Sequence, residues 1–285
     1  MGRIAVTTDS NSGITQAEAK ALGVRVVPMP FYIDGELYYE GLDLSQEQFY
    51  EKQTADADIT TSQPSLVMTA DIWDEALREC DEVIHIPMSS GLSGTCSAAE
   101  ALSHEYGGRV HVVDNQRISV TLRLAILDAL NMINRGMRAD EIVGVLMRER
   151  LEASIYITVD TLKYLKKGGR LTPAAAAFGT VLNIKPVLQI QGDKLDAFAK
   201  VRGMKAAKKA MLDALEADLD GRFKGQRVHL GAAYTSSLEE ALIWKSEIEE
   251  RFLDYGEVTM DPLTLSVACH VGPGALGIGC SRVVE

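Results

Sequence analysis

Along the first half of the chain, short β-branched apolar runs alternate with longer segments whose apolar residues recur at helical spacing. Arg3–Ser10 predicts a strand running into a polar turn, and Thr15 with Glu18 makes a capping box for a helix ending near Gly23. A strand over Val24–Pro30 follows, then a hairpin from Phe31 to Tyr39 turning at Asp34-Gly35. Ser45 and Gln48 open the next helix, with Leu44 and Phe49 as its hydrophobic staple. Thr60–Ser65 reads as a hydroxyl-rich loop, and Ser65 caps a helix from Leu66 to Glu79. Val83–Pro87 is the next strand, Cys96–Leu102 a helix, and Val110–Val113 a strand ending in Asp114-Asn115. Helices from Ser119 to Gly136 and from Glu141 to Leu151 complete the half. Strands and helices in this alternation predict a βαβ series on a parallel sheet.

After Glu152 the pattern changes. Ser154–Val159 is a strand, and Leu162–Leu165 a short helix ending in Lys166-Lys167-Gly168-Gly169-Arg170. Thr172-Pro173 starts a helix through Val181, with proline at its first position. Pro186–Gln191 and Lys194–Lys200 predict a hairpin turning at Gly192-Asp193, followed by a basic-faced helix from Met204 to Leu219. Val228–Tyr234 is a strand, Ser236 with Glu239 caps a helix to Leu253, and Val258–Met260 and Leu263–Val267 read as short strands before the last one. The expected fold is α/β: a parallel-sheet α/β/α domain over 1–150 and a mixed-sheet domain over 151–285.

Within the first half, Met88–Thr95 joins a buried strand to a helix through a loop of glycine, serine and threonine. A helix start of this kind offers unpaired N–H groups and about half a positive charge, a site suited to carboxylate or phosphate. Two readings stand side by side: Ser93 and its neighbours hold an anionic head group, or Ser93 and Thr95 only cap the helix while Gly91 and Gly94 turn the chain. In parallel sheets ligands bind beyond the carboxyl ends of the strands. Asp9-Ser10, Thr61-Ser62, the Ser89–Thr95 loop and Asp114-Asn115 all fall at or near such ends. No Walker-type phosphate loop and no G-x-S-x-G elbow is present.

A net charge of −11 and a pI near 5.0 argue against nucleic acid as a partner and against anionic membrane surfaces. The first strand begins at Ile4, leaving no room for a signal peptide, and no apolar run is long enough to span a bilayer. Cys80, Cys96, Cys269 and Cys280 show neither C-x-x-C pairing nor metal-ligand spacing, as expected of reduced thiols in the cytoplasm. No metal site is expected, because Asp9 has no companion carboxylates. The basic turn at Lys166-Lys167 fits a solvated helix C-terminus, but Arg170 after two glycines has a fork suited to carboxylate or phosphate. His270 stands alone; paired with Ser93 it lacks a third member for a nucleophilic triad. Ala174–Gly179 is a helix face almost without side-chain volume, suited to close helix packing or to leaving room for an apolar ligand.

Six segments in order resemble the DegV family: Thr8-Asp9-Ser10, Thr61–Ser65, Ser90–Thr95, Tyr164–Leu171, Ile184-Lys185-Pro186 and His270–Gly277. The chain departs from the usual family pattern at Asp114-Asn115, at Ile118–Thr121 and at Ala268-Cys269. The resemblance implies a lipid-binding, non-enzymatic subunit of a bacterial fatty acid kinase, with a long-chain fatty acid in a tunnel between two α/β domains. It implies that Thr61 and Ser93 hold the carboxylate, with Ser62, Gly94 and His270 close by. Lys166, Lys167 and Arg170 would contact the ATP-binding kinase subunit that forms the acyl-phosphate. No cofactor is expected beyond the bound fatty acid, and exchange with membranes would be transient. The alternative from the residues alone is a phosphosugar or small-ketone enzyme using the same anion loop.

Overall fold

The computed structural model describes residues 2–176, 184–192 and 194–284. β1 (Ile4–Asp9), α1 (Gln16–Leu22) and β2 (Val24–Val27) lead into the hairpin of β3 (Pro30–Ile33) and β4 (Glu36–Tyr39). Then come α2 (Gln46–Thr54), β5 (Ile59–Thr61), α3 (Leu66–Glu79), β6 (Glu82–Ile86), α4 (Thr95–Ser103), β7 (Val110–Val112), α5 (Ser119–Asn134) and α6 (Ala139–Arg148). The second half holds β8 (Ala153–Thr158), α7 (Lys163–Gly168), α8 (Pro173–Ala176), β9 (Ile184–Ile190), β10 (Asp196–Arg202) and α9 (Gly203–Asp220). It ends with β11 (Val228–Tyr234), α10 (Leu238–Arg251), β12 (Thr259–Pro262), α11 (Leu265–Val271) and β13 (Leu276–Arg282). The helix predicted through Val181 and the turn at Gly192-Asp193 run into residues 177–183 and 193, which lie outside the described residues.

Local chemistry sets many of these boundaries. The Thr15 and Ser45 side chains each accept from the backbone three residues on, and Glu18 and Gln48 reach back to close both capping boxes. Asp34 and Gly35, with φ of 51° and 86°, make the tight turn of the β3–β4 hairpin. The predicted parallel sheet forms in the order β2-β1-β6-β7. The second half builds a mixed sheet, β10-β9-β8-β13-β11-β12, in which β11 and β12 are the parallel pair.

Three sequence readings are corrected. Thr60 and Thr61 belong to a strand, not a loop: β5 adds to β3 and makes a small sheet, β4-β3-β5. Leu263–Val267 is not a strand, because α11 begins at Leu265. Its seven residues carry no side-chain cap of their own; the buried carboxylate of Glu40 accepts from Ser266 N at 2.8 Å instead. Leu265, Ala268 and Cys269 pack there with Phe31, Ile33 and Phe49 of the first half. Finally, Ser237, not Ser236, caps α10 by accepting from Glu240 N, while Ser236 turns the chain at φ 63° and accepts from Gly274 N.

α5 sits between the two large sheets. A helix apolar on nearly every side must be buried, and Val120, Leu122, Leu124, Ala125, Ile126, Ala129 and Met132 all are. One apolar cluster runs from Val6, Ile84 and Ile86 of the parallel sheet through α5 to Ile157, Leu188 and Ala233 of the mixed sheet.

Candidate functional site

Two carboxylates, the buried Asp9 and the half-buried Asp114, shape the loop between β6 and α4. Asp9, at the carboxyl end of β1, accepts from Met88 N at 2.8 Å and from Asn11 N at 2.9 Å. Burial with no cation beside it pushes its carboxyl up to about 6, against those two hydrogen bonds. Further along, Asp114 accepts from Ser90 N at 3.2 Å and Ser90 Oγ at 2.5 Å. The loop so held presents Ser93, whose Oγ accepts from Thr95 N at 3.2 Å and shares a hydrogen bond with Thr95 Oγ1. Ser93 is thus a local cap, yet its side chain also lines the cavity described below. A Cβ on Gly94 would lie 2.8 Å from Oε1 of the exposed Gln63, so a side chain there would displace the end of that glutamine.

Opposite this loop, Thr61 ends β5, and its Oγ1 lies 2.9 Å from His270 Nε2 on the last turn of α11. Burial, with a smaller contribution from the nearby Arg170 guanidinium, holds His270 down to about 4. The imidazole is therefore neutral at pH 7, and it works by hydrogen bonding rather than by charge. With the proton on Nε2, His270 donates to Thr61 Oγ1 and leaves the Thr61 hydroxyl proton free for an anion. α7 fits over the ring because residue 168 is glycine: a Cβ there would come within 2.1 Å of His270 Nδ1. Arg170 donates to Gly168 O.

Thr61, Ser62, Ser93, Gly94 and His270 come together on the wall of one cavity of about 340 Å³, a volume typical of small-ligand sites. Among the described residues that wall includes Arg170 but neither Lys166 nor Lys167. Lys166 is exposed, and Lys167 pairs with Asp58 at 2.5 Å beside a second exposed pair, Lys163 with Asp56. Gln63 and Gly94 are exposed, so the Ser93–Gly94 side of the cavity reaches solvent. The rest of the wall is mainly aliphatic, with Ile155 and Ile157 of β8, Leu165 of α7, Ile190 of β9, Leu195 and Ala233, and also holds the buried Asn11 and Ser266.

Sequence reasoning did not single out Asn11, Ser266 or Glu40. Asn11 Oδ1 accepts from Ser266 Oγ at 2.7 Å and from Thr264 Oγ1 at 3.2 Å, tying α11 to the first strand's end. Both Asn11 and Ser266 line the cavity. Among the described residues no group of three His, Cys, Asp or Glu side chains could hold a metal ion, and no helix is long and apolar enough to cross a membrane.

A family model described as "Uncharacterised protein, DegV family" matches residues 3–283. A DegV domain-containing protein of Deinococcus radiodurans is 36% identical over 278 residues, covering 96% of this chain and 97% of the relative. Among solved structures, a DegV family protein from Thermus thermophilus, described for its fatty acid binding, superposes with a TM-score of 0.91 at 32% identity, covering 98% of this chain and 99% of that one. DegV from Bacillus subtilis, described as a fatty acid binding protein, gives a TM-score of 0.87 at 28% identity over 99% and 100% of the two chains.

Proposed function

The chain belongs to the DegV family, and from that premise we propose that it binds one long-chain fatty acid in the cavity, tail inward and carboxylate at the polar end. One observation carries this reading: a single cavity is lined mainly by aliphatic side chains and also gathers Thr61, Ser62, Ser93, Gly94, His270 and Arg170. The tail would contribute about 0.8 kcal/mol per buried methylene and so dominate affinity. The head group sets orientation, through charge-assisted bonds from the hydroxyls of Thr61 and Ser93 and the field of the α4 N-terminus. With His270 neutral, Arg170 is the full positive charge on this wall among the described residues. The fatty acid binding of the Thermus thermophilus and Bacillus subtilis proteins supports the reading.

The same proposal extends to presentation. The bound carboxylate, at the exposed end of the cavity, is offered to a separate ATP-dependent kinase subunit for acyl-phosphate formation, and the chain itself carries the substrate without turning it over. The basic turn at Lys166, Lys167 and Arg170 borders that end and is the proposed contact for the kinase. Four free thiols, at Cys80, Cys96, Cys269 and Cys280, support a reducing compartment such as the cytoplasm. A phosphosugar or small-ketone substrate fits less well, since sugar hydroxyls would meet isoleucine and leucine side chains along the depth of the cavity.

Mass spectrometry of solvent extracts from the purified protein tests the reading. A long-chain fatty acid in near-equal molar amount is expected. Thr61→Ala and Ser93→Ala should each weaken carboxylate binding about tenfold to a hundredfold, the range for losing a hydrogen bond to a charged group. Extracts without lipid would refute fatty acid binding. Unchanged lipid content and unchanged acyl-phosphate formation in both variants would refute the head-group assignment alone.

A further inference from the structure

The mixed sheet presents two neighbouring cross-strand pairs of small residues to α5. Gly231 of β11 faces Gly279 of β13, and two residues along, Ala233 faces Gly277. Residues two apart on a strand share a face, so the four form one shallow trough beneath α5. The two halves of this trough have different fates. Ala233 and Gly277 line the cavity. Gly231 and Gly279 are covered by Val120, from the first turn of α5: a Cβ on Gly231 would lie 3.1 Å from Val120 Cβ, and one on Gly279 3.2 Å from Val120 Cγ2. Val120 is itself buried and itself lines the cavity. Its isopropyl group is therefore the partition between the open half of the trough and the filled half.

We infer that Val120, seated in the Gly231–Gly279 notch, is the stop that sets the length of the acyl chain this protein accepts. This deepens the proposed function and rests on it. The neighbouring strand is consistent: Ile155 lies in register with Gly279, and Ile157 with Gly277, and both line the cavity. At the level of Ile155 a tail is bounded on the β8 side by that isoleucine and cannot pass over β13 toward β11 while Val120 fills the notch. With the two Val120 methyls removed, the cavity gains the space they fill over the two glycines, bounded by Thr259 Oγ1 beside Gly231 and by Ser154 O and Ile155 Cγ1 beside Gly279. β-Branching suits the role, because a valine in a helix is held in one strongly preferred rotamer and cannot swing aside.

The test uses delipidated full-length protein and two straight-chain saturated acids, palmitate and stearate, offered together and quantified after extraction. Each added methylene that finds room is worth about fourfold in affinity. Stearate is longer than palmitate by two methylenes, so Val120→Ala should shift the stearate-to-palmitate ratio upward by about fifteenfold relative to the parent chain. Ala233→Val, which narrows the open half of the trough, should shift the ratio the other way. A Val120→Ala protein that binds both acids at the parent ratio would overturn the inference while leaving fatty acid binding intact. Failure of the parent chain to take up either acid would overturn both. Thermal melting identifies a variant that has not folded; if Val120→Ala is that variant, the downward shift in Ala233→Val decides the question, and an unchanged ratio there counts against the stop.

Discussion

At the scale of single residues, the cavity wall carries a histidine kept neutral beside Thr61. His270 is held to about 4 from an ordinary 6.5, first by burial and then by Arg170. An imidazole that resists protonation in the fold but not in the unfolded chain supports stability above pH 6.5, and that support is lost as pH falls toward 4. The buried His85, held to about 3, acts in the same direction. Asp9, raised to about 6, opposes them, since the folded state takes up its proton before the unfolded chain does. Two-dimensional NMR of imidazole-labelled protein should place the His270 midpoint near 4. Arg170→Gln should raise that midpoint by removing a nearby positive charge, and an unmoved midpoint would separate Arg170 from the site. Much of this cluster was legible in the sequence, because hydroxyls and glycines at strand ends and a basic turn closing on arginine are local signals. Asn11 and Ser266 were not, since they meet across 255 positions of chain.

At the scale of elements, α11 is where local pattern and final structure disagree. Leu263–Val267 reads as a short strand because it is apolar and includes Val267 and Thr264, residues of high β propensity. What makes it helical is supplied from elsewhere: the Glu40 carboxylate on Ser266 N, the Gln53 amide on Ala268 O at 2.9 Å, and an apolar floor of Phe31 and Phe49. A seven-residue helix has little stability of its own, so its position depends on these contacts. Glu40→Ala should cost about 1–3 kcal/mol by leaving a buried N–H unsatisfied. Glu40→Gln, which can still accept, should cost less. Hydrogen exchange should show the loss concentrated in the amides of residues 265–271. Equal exchange in the two variants would mean that Glu40 does not anchor the helix. Capping boxes, by contrast, were read correctly at Thr15 and Ser45, because everything they need lies within four residues.

At the scale of the whole molecule, the alternation of strands and helices foretold the parallel sheet, and the change of rhythm after Glu152 foretold a mixed one. It did not foretell that α5 would be shared between them, nor that β5 and α11 would meet at Thr61 and His270 from opposite ends of the chain. Those are the contacts that form the cavity, and they depend on packing rather than periodicity. Occupation of the cavity by a ligand that the unfolded chain cannot hold should stabilise the fold by about 2.7 kcal/mol at a hundredfold excess over Kd. The most direct measurement is a crystal structure of the chain saturated with palmitate. The carboxylate should lie against Thr61 and Ser93, and the tail should run inward past Ile157 and over Ala233 and Gly277 to end at Val120. A tail bound on the outer surface, or a palmitate-free cavity holding ordered water, would contradict the account.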